Sequence, residues 1–381
     1  MNRLKQLTQQ GQSIWLDYTK RSFVRSGGLR RLIDEDGLSG VTSNPSIFDE
    51  AISHGDEYDD DIRAARDAGR SAEDAYRDLV VSDIQMVADE LAGVFERTGW
   101  RDGFVSLEVS PHLARDTAAT LDQARDLWTR VKRKNLFIKV PATAEGLPAI
   151  RQLIAEGINV NITLLFGLTR YREVAEAYLG GLEDRIRAGE SVERIASVAS
   201  FFLSRIDLMV DPQLDLLAES DPRLAGPAGR LKGQAAIACA RQAYQIYQEI
   251  FSSDRFRRLA PARPQKQRVL WASTSTKDPA ESDVKYVEAL IGPETINTLP
   301  QKTLEAFRDH GDPTPRLQEN PAATQAVLRD LGEIGIDLQA VSRRLEDDGV
   351  DKFRRTYDHL IAGLRQKLGA LAGAGDRGRG A

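Results

Sequence analysis

Short apolar runs of β-forming residues alternate along the chain with longer amphipathic stretches. Eight such runs occur, at residues 14–18, 38–44, 104–110, 136–143, 158–166, 196–203, 268–274 and 295–300. The stretches between them, such as residues 114–134 and 167–189, repeat their apolar positions at helical spacing. Strands that alternate with helices favour right-handed crossovers and a parallel sheet. Eight units fit a closed barrel better than an open sheet, so the pattern predicts an α/β fold with a single (β/α)8 TIM barrel.

Two segments are longer than one barrel connection requires. Residues 45–102 carry patterns for two or three helices after the second strand, and residues 301–372 carry helical patterns after the last strand. We expect the C-terminal helices to wrap across a barrel face and one domain to span residues 1–372. The Gly-rich tail at residues 373–381 is expected to be disordered. The acidic run at residues 56–61 is expected to be solvated surface.

Composition and charge narrow the class of protein. The 381 residues carry a net charge of −5, which argues against nucleic acid or an anionic membrane as a partner. The single cysteine, Cys239, excludes an intramolecular disulfide, and the N-terminus lacks the apolar core of a signal peptide. The four histidines form no metal-ligand pattern, and no glycine-rich nucleotide motif follows a strand. We therefore expect a cytoplasmic protein without metal or cofactor, either a monomer or a homodimer.

Polar residues recur at two-residue spacing within the strand-forming runs, and residues two apart share one face of a strand. Such pairs and single polar positions occur in most of the runs: Asp17, Thr42 with Asn44, Glu108, Lys139, Asn161 with Thr163, Ser200 with its face neighbour Phe202, and Ser273 with Ser275. Polar groups near the C-terminal ends of barrel strands project into the pocket where barrel enzymes hold their active sites. The pattern therefore predicts one polar cavity built from separate strands.

Lys139 is the most informative of these residues, because it interrupts the apolar run LFIKVPAT at residues 136–143. An ionised lysine is rarely buried without a partner, since losing its hydration is costly. Either this side chain reaches the rim, or its apolar setting favours the uncharged amine, which can form a Schiff base with a carbonyl carbon. That chemistry also needs a general acid–base group and a positioned water. Asp17, Glu108 and Thr163 supply suitable groups.

Several of these residues also suit purely structural roles. Asp17 is compatible with a turn or a cap, and Thr42 and Asn44 are compatible with a helix cap before Pro45. Glu108 is compatible with an ion pair to an arginine. The two polar residues of the fifth run are compatible with satisfying each other in the core. Only the joint pattern favours a functional cavity.

The motifs together resemble the transaldolase family. WLDY, GVTSNPSIF, LFIKVPAT and NVNITLLFG occur in the family's order, and the likeness extends over nearly the whole chain, from about residue 10 to about residue 370. The WASTSTKD and TINTLPQKTLEAFRDHG segments are most similar to the longer bacterial subfamily. The resemblance implies a cofactor-free aldol transfer in the non-oxidative pentose phosphate pathway. A dihydroxyacetone unit would move from sedoheptulose 7-phosphate to glyceraldehyde 3-phosphate, giving erythrose 4-phosphate and fructose 6-phosphate.

The resemblance also implies roles for individual residues. Lys139 would form the Schiff base, and Asp17 would be the general acid–base group for carbon–carbon cleavage. Glu108 and Thr163 would hold the water used to form and release the imine. The expected sugar-binding residues are Thr42, which would also support Asp17, together with Asn44, Asn161, Ser200 and Phe202.

The phosphate-binding end departs from the family pattern. ASFFLSR is similar to the family's sixth-strand motif, which makes Arg205 the first expected phosphate ligand, and Ser273 matches a family serine on the seventh strand. Many relatives have arginine two residues later, where this chain has Ser275. We expect Lys277 to replace that cation, as a point charge rather than a bidentate fork.

Two other functions compete with this interpretation. A fructose-6-phosphate aldolase shares the barrel and the lysine chemistry but releases free dihydroxyacetone, and such enzymes are shorter and lack the C-terminal extension. A catalytically inactive barrel could serve as an interaction module through residues 301–372. Lys139 and Asp17 argue against the inactive barrel.

Overall fold

Eight parallel strands form a closed barrel in the computed structural model, which describes residues 2–53 and 55–375. The strands are β1 (Gln12–Asp17), β2 (Gly40–Thr42), β3 (Phe104–Glu108), β4 (Leu136–Pro141), β5 (Val160–Leu165), β6 (Ser197–Phe202), β7 (Arg268–Ala272) and β8 (Thr295–Leu299). Each strand pairs with its neighbours in chain order, and β8 closes the barrel against β1. The structure therefore confirms the predicted (β/α)8 barrel, and each strand lies within or beside its predicted run.

Helices surround the strands within the described residues. They are α1 (Arg3–Gln9), α2 (Arg21–Arg25), α3 (Gly28–Arg31), α4 (Pro45–Ser53), α5 (Asp59–Asp67), α6 (Ala72–Arg97), α7 (Thr117–Val131), α8 (Gly146–Glu156), α9 (Leu168–Arg187), α10 (Ser204–Ser220), α11 (Ala225–Leu231), α12 (Ala235–Phe251), α13 (Asp254–Arg257), α14 (Lys285–Ala289), α15 (Gln301–His310), α16 (Pro321–Glu333) and α17 (Leu338–Gly375). A π-helical turn (Leu32–Asp36) and two 3₁₀ turns (Pro111–Leu113 and Ala260–Ala262) complete the set. The tail expected to be disordered lies outside the described residues from position 376 onward.

Local sequence explains where the long helices begin and which face they bury. Ser71 caps α6, because its side chain accepts a hydrogen bond from the backbone N–H of Asp74 at 3.0 Å. The buried apolar positions of α6 recur at three- and four-residue spacing: Leu79, Val80, Ile84, Val87, Leu91 and Val94. This stripe packs α6 onto β3. The helix therefore fixes the outer side of the strand that carries Glu108.

An aromatic layer fills the barrel interior below the strand ends. The Trp15 and Phe137 rings lie 6.0 Å apart, and the Phe104 and Phe137 rings stack at 4.2 Å. Gly40 in β2 makes room for this layer, because a Cβ there would lie 2.3 Å from the Trp15 indole. The rings are fully buried and form an apolar floor beneath the polar residues at the strand ends.

A buried polar cluster lies at the opposite, N-terminal end of the barrel. Asp102 accepts hydrogen bonds from Ser13 at 2.7 Å, from the Trp15 indole N–H at 3.2 Å and from Arg268 at 3.0 Å. Arg268 also donates to Ser13 at 2.8 Å. Asp102 therefore ties β1 and β7 to the start of β3.

The acidic run at residues 56–61 is not simply solvated surface. Tyr58 is 1% exposed and donates its hydroxyl proton to Asp83 at 2.6 Å. Buried Arg21 pairs with Asp83 and with Asp61, and its guanidinium lies 4.4 Å from the Tyr58 ring centre. The expectation of a solvated run is wrong at Tyr58, which is buried against Arg21 and Asp83, whereas Asp61 pairs with Arg21 but remains 50% exposed.

The last helix, α17, crosses the C-terminal mouth of the barrel. It packs on α4 and on the end of β5. Gly349 permits this approach, because a Cβ at that position would lie 3.0 Å from Leu164. The crossing brings Lys352 and Phe353 over the strand ends.

We expect Asp102→Ala to lower the free energy of unfolding by about 3 to 5 kcal/mol, because it leaves the buried Arg268 charge without its carboxylate. Urea denaturation followed by circular dichroism measures the change. Asp60→Ala is the control, because Asp60 forms an exposed pair with Arg63 and its loss should change stability far less. Equal effects of the two substitutions would contradict a structural role for the Asp102 cluster.

Candidate active site

Strand register brings the polar residues together at the mouth of the barrel. Asp17 pairs in register with Thr42, and Lys139 lies between Glu108 on one side and Asn161 on the other. In a closed parallel barrel, the C-terminal ends of the strands all open onto one face. The predicted residues therefore converge on one region.

A cavity of about 270 Å³, here named the mouth cavity, occupies this region. The predicted residues that line it are Asp17, Thr42, Asn44, Lys139, Ser200, Phe202, Arg205, Ser273 and Lys277. The lining also contains Ser275 and residues that were not predicted: Ser46, Ile47, Glu50, Ala272, Thr298, Pro300, Lys352 and Phe353. The remaining predicted residues, Glu108, Asn161 and Thr163, lie on the strands beside this lining.

Lys139 is buried at the base of the mouth cavity. It is 5% exposed, and its Nζ donates to the backbone carbonyl of Ser43 at 3.1 Å. The same nitrogen lies 3.5 Å from Oε2 of Glu108 and 5.8 Å from the centre of the Phe353 ring. Lys139 is therefore not a solvated rim residue.

Glu108 is the carboxyl group closest to the lysine amine. Its side chain is 6% exposed, and neither oxygen accepts a hydrogen bond from the described part of the chain. Burial raises the pKa of Glu108 to about 7, although the positive charge of Lys139 lowers it. Its ion-pair partner is Lys139 rather than the arginine considered from sequence. Glu108 can therefore exchange a proton near neutral pH.

Asp17 is the second buried carboxyl group of the site. Thr42 donates its hydroxyl proton to Asp17 at 2.8 Å, and the Thr298 hydroxyl lies 2.7 Å from that of Thr42. Burial raises the pKa of Asp17, while Lys139 and the hydrogen bonds from Thr42 and Asn44 lower it. Asp17 is therefore a positioned carboxyl group in the cavity and not a turn residue.

Asn44 combines a structural and a site position. Its side-chain oxygen accepts from the backbone N–H groups of Ser46 at 3.0 Å and Ile47 at 3.2 Å, which caps the start of α4. Its side chain also lines the mouth cavity and hydrogen-bonds Asp17. The cap expected from the sequence is therefore present, and it does not remove Asn44 from the cavity lining.

A hydrogen-bonded chain orients the amide of Asn161. Ser200 donates to its side-chain oxygen at 2.6 Å, and its Nδ2 donates to Ser106 at 2.9 Å. Thr163 does not pair with Asn161, since its buried hydroxyl has no hydrogen-bond partner among residues 2–53 and 55–375. The expectation that these two residues satisfy each other is therefore wrong.

A bulge in β5 follows Thr163. Leu164 has a φ of +55°, in the left-handed region, and the register with β6 shifts between Ile162 and Leu165. Bulges re-aim side chains and are common beside active sites. The irregular backbone thus sets the direction of the Thr163 hydroxyl.

Three cations meet at the outer end of the mouth cavity: Arg205, Lys277 and Lys352. Burial lowers the pKa of Arg205, and burial together with Arg205 lowers that of Lys277. Arg205 is the main cause that lowers the pKa of Lys352. Within the described ranges, no carboxylate forms an ion pair with any of the three. This end of the cavity therefore suits an anion with two negative charges.

The two serines of the seventh-strand motif lie beside these cations. Lys277 donates to Ser275 at 2.6 Å, and the Ser273 hydroxyl lies 2.8 Å from that of Ser204. Lys352 was missed from sequence, because it lies within a helix far along the chain, where a single lysine is indistinguishable from solvated surface.

No three His, Cys, Asp or Glu side chains of the described residues are placed to hold a metal ion, and His54 is outside those residues. None of the described helices has both the length and the hydropathy needed to cross a membrane.

A buried amine beside two buried carboxyl groups, with cations at the far end of one barrel mouth, defines an enzyme site for a carbonyl compound that carries an anionic group. The family described as Transaldolase/Fructose-6-phosphate aldolase matches residues 14–364. The chain belongs to this family. It is an enzyme that transfers aldehyde or ketone residues.

Three curated relatives named Transaldolase match almost the whole chain. The protein of Saccharopolyspora erythraea is 45% identical over 368 residues, which are 96% of this chain and 98% of the relative. The protein of Thiobacillus denitrificans is 46% identical over 362 residues, covering 95% of this chain and 99% of the relative. The protein of Trichodesmium erythraeum is 44% identical over 374 residues, which are 97% of this chain and 98% of the relative. These likenesses confirm the resemblance found from the sequence motifs.

We expect the raised pKa of Glu108 to make folding stability depend on pH. Its folded value of about 7 exceeds its ordinary value of 4.5, so its contribution is fully present below about 4.5 and is lost as pH rises through about 7. As pH rises from 4.5 to 8, the free energy of unfolding of the unsubstituted protein should therefore fall by on the order of 2 to 4 kcal/mol more than that of Glu108→Gln.

Urea denaturation of both proteins between pH 4.5 and 8 measures this difference. The raised pKa of Asp17 acts in the same direction, but Asp17 is retained in both proteins. A stability difference that stays constant across this range would contradict the raised pKa of Glu108.

Proposed function

We propose that the protein is a transaldolase of the non-oxidative pentose phosphate pathway. It would move a dihydroxyacetone unit from sedoheptulose 7-phosphate to glyceraldehyde 3-phosphate, giving erythrose 4-phosphate and fructose 6-phosphate. The observation that carries this proposal is the buried Lys139 amine, 3.5 Å from a carboxyl group whose pKa is raised to about 7. Family membership supports the same assignment.

The first step forms the Schiff base. Glu108 accepts a proton from the Lys139 ammonium group, which lies 3.5 Å from its Oε2. The free amine then attacks the C2 carbonyl carbon of the donor sugar. Glu108 returns this proton to the carbinolamine oxygen and then relays a second proton from the substrate-bound nitrogen to the same oxygen, which leaves as water. Thr163 supplies a second hydrogen-bonding group for that water.

The second step cleaves the bond between C3 and C4. Asp17 removes the proton from the C4 hydroxyl, the C3–C4 electron pair moves into the iminium, and an aldehyde leaves. Thr42 holds Asp17 at 2.8 Å for this transfer. The bound enamine then attacks the acceptor aldehyde by the reverse sequence, and hydrolysis releases the new ketose. The Schiff base is the electron sink, so these steps use side chains alone.

The remaining predicted residues orient the sugar. Asn161, held by Ser106 and Ser200, would hydrogen-bond the hydroxyls of the dihydroxyacetone unit together with Asn44. Phe202 is buried at the cavity wall and supplies an apolar surface.

The phosphate would bind at the outer end of the mouth cavity. Arg205, Ser273 and Lys277 are the predicted ligands, and Lys352 adds a third cation. Lys352 supplies positive charge where the chain has Ser275 instead of the arginine common in the family. Because all three cations lack a carboxylate partner in the described ranges, a phosphate would not displace an existing ion pair.

We expect Lys139→Ala to abolish turnover while the protein remains folded, because it removes the only amine proposed to bond the substrate. Borohydride reduction with fructose 6-phosphate, followed by mass spectrometry, should place the adduct on Lys139 in the unmodified protein and on no residue of Lys139→Ala. Lys277→Ala should still form the adduct. An adduct that persists in Lys139→Ala would contradict the assignment of the nucleophile.

The same preparation distinguishes a transferase from an aldolase that releases free dihydroxyacetone. Consumption of fructose 6-phosphate should require an aldehyde acceptor. Turnover that is independent of the acceptor would overturn the transferase assignment.

We expect Arg205→Ala and Lys352→Ala each to raise KM for phosphorylated donors by about tenfold to one hundredfold, the range for one lost charged hydrogen bond. KM for unphosphorylated fructose should change little. Arg344→Ala is the control on the same helix, because Arg344 is exposed and paired with Asp348. Equal effects on both kinds of donor would place the substituted residue outside the phosphate site.

A further inference from the structure

A second cavity, here named the side cavity, adjoins the catalytic carboxyl group. It has a volume of about 80 Å³ and lies between β3, α4, α6, α7 and α17. Glu108 lines the side cavity, whereas Lys139 lines the mouth cavity. Asn44 lines both. Glu108 therefore stands at the boundary between two cavities.

The side cavity runs from the protein surface to this buried carboxyl group. Its lining includes Glu73, whose side chain is 50% exposed, and Glu108, whose side chain is 6% exposed. Its walls contain both apolar side chains, Val80 and Leu127, and the polar hydroxyl group of Tyr76. The route thus connects solvent with the face of Glu108 that borders the side cavity.

Buried polar atoms without a hydrogen-bond partner among the described residues occur near both ends of this route. At the outer end, the Nε of Arg77 is buried without a hydrogen-bond partner among the described residues. At the inner end, both oxygens of Glu108 are buried without a hydrogen-bond partner among the described residues, and Oε2 has only the ion-pair contact with Lys139 at 3.5 Å. Buried polar atoms beside a cavity of this size are normally satisfied by water.

We propose that the side cavity is a water passage that supplies Glu108 independently of the sugar entrance. This inference depends on the proposed Schiff-base function. The mouth cavity must hold the donor sugar, and Phe353 lies over Lys139 on that side. Water that enters beside Glu108 reaches the imine without passing the bound sugar or its phosphate.

The passage would serve the two steps in which water is a reactant or product. During hydrolysis, the water oxygen bonds to C2 of the iminium, and its proton passes to Glu108. The Glu108 proton then passes to the carbinolamine nitrogen and the hydroxyl proton passes to Glu108. The C2–N bond breaks, its electron pair stays on the Lys139 amine, and C2 becomes a carbonyl carbon. Formation of the imine runs in reverse and sends one water outward. The width of the passage would therefore limit how fast bound dihydroxyacetone is lost to hydrolysis before an acceptor arrives.

The test substitutes Glu73, which is exposed and outside the proposed catalytic groups. Glu73→Trp should obstruct the outer end, whereas Glu73→Ala removes the same ion pair with Arg365 and leaves the passage open. The measurement is incorporation of ¹⁸O from labelled water into C2 of fructose 6-phosphate, corrected for exchange without enzyme. We expect Glu73→Trp to slow this exchange about tenfold, while Glu73→Ala exchanges like the unsubstituted protein.

A second pair of variants tests the interior of the passage. Val80→Phe should fill the side cavity and slow exchange, whereas Val80→Ala should enlarge it and not slow exchange. Thermal unfolding shows which variants fold. If Val80→Phe does not fold, the comparison of Glu73→Trp with Glu73→Ala decides the result.

Two results would overturn the passage: unchanged exchange in folded Glu73→Trp, or equal slowing in Glu73→Trp and Glu73→Ala. In either case, a Lys139 adduct in the unsubstituted protein would leave the proposed function standing. Failure of the unsubstituted protein to form that adduct or to exchange oxygen would instead refute the proposed function itself.

Discussion

The pairing of a buried amine with a buried carboxyl group is the interaction on which the site depends. Lys139 and Glu108 lie in register on neighbouring strands, and their side chains are each 6% exposed. Burial raises the pKa of Glu108 to about 7, so this carboxyl group can exchange a proton near neutral pH beside the amine. The aromatic layer of Trp15, Phe104 and Phe137 closes the barrel beneath the pair, and α17 covers it from above. The barrel and its last helix thus maintain the low polarity that the chemistry requires.

The C-terminal helix is part of the site as well as of the fold. Its close approach at Gly349 allows Phe353 to cover the amine and Lys352 to join Arg205 and Lys277. Like charges held together without carboxylate partners raise the free energy of the unliganded protein. Binding of a phosphate relieves that repulsion, so the same cluster that is costly when empty favours an anionic substrate.

The fold and the strand-borne residues were predictable because both leave local signals. Strand and helix alternate with distinct periods, and polar residues two apart near strand ends, such as Asn161 and Thr163, must face the barrel interior. For Asn44, the sequence allowed a structural role or a position in the site, and the residue has both, since it caps α4 and lines the cavity.

Features that depend on contacts distant in sequence were not predictable. Lys352 gains its role only because α17 folds across the mouth, and Tyr58 is buried only because Arg21 and Asp83 meet it. The side cavity arises from the packing of β3 with α4, α6, α7 and α17, and no sequence pattern encodes its volume. The irregular φ of Leu164 likewise follows no signal, because leucine does not favour the left-handed region.

The most direct test is a crystal structure of the protein after borohydride reduction with fructose 6-phosphate. The account predicts continuous density from Nζ of Lys139 to C2 of the sugar, with the phosphate among Arg205, Lys277 and Lys352. A sugar bonded to another lysine, or a phosphate located away from these cations, would contradict the central claim that this buried amine is the nucleophile of a sugar-phosphate enzyme.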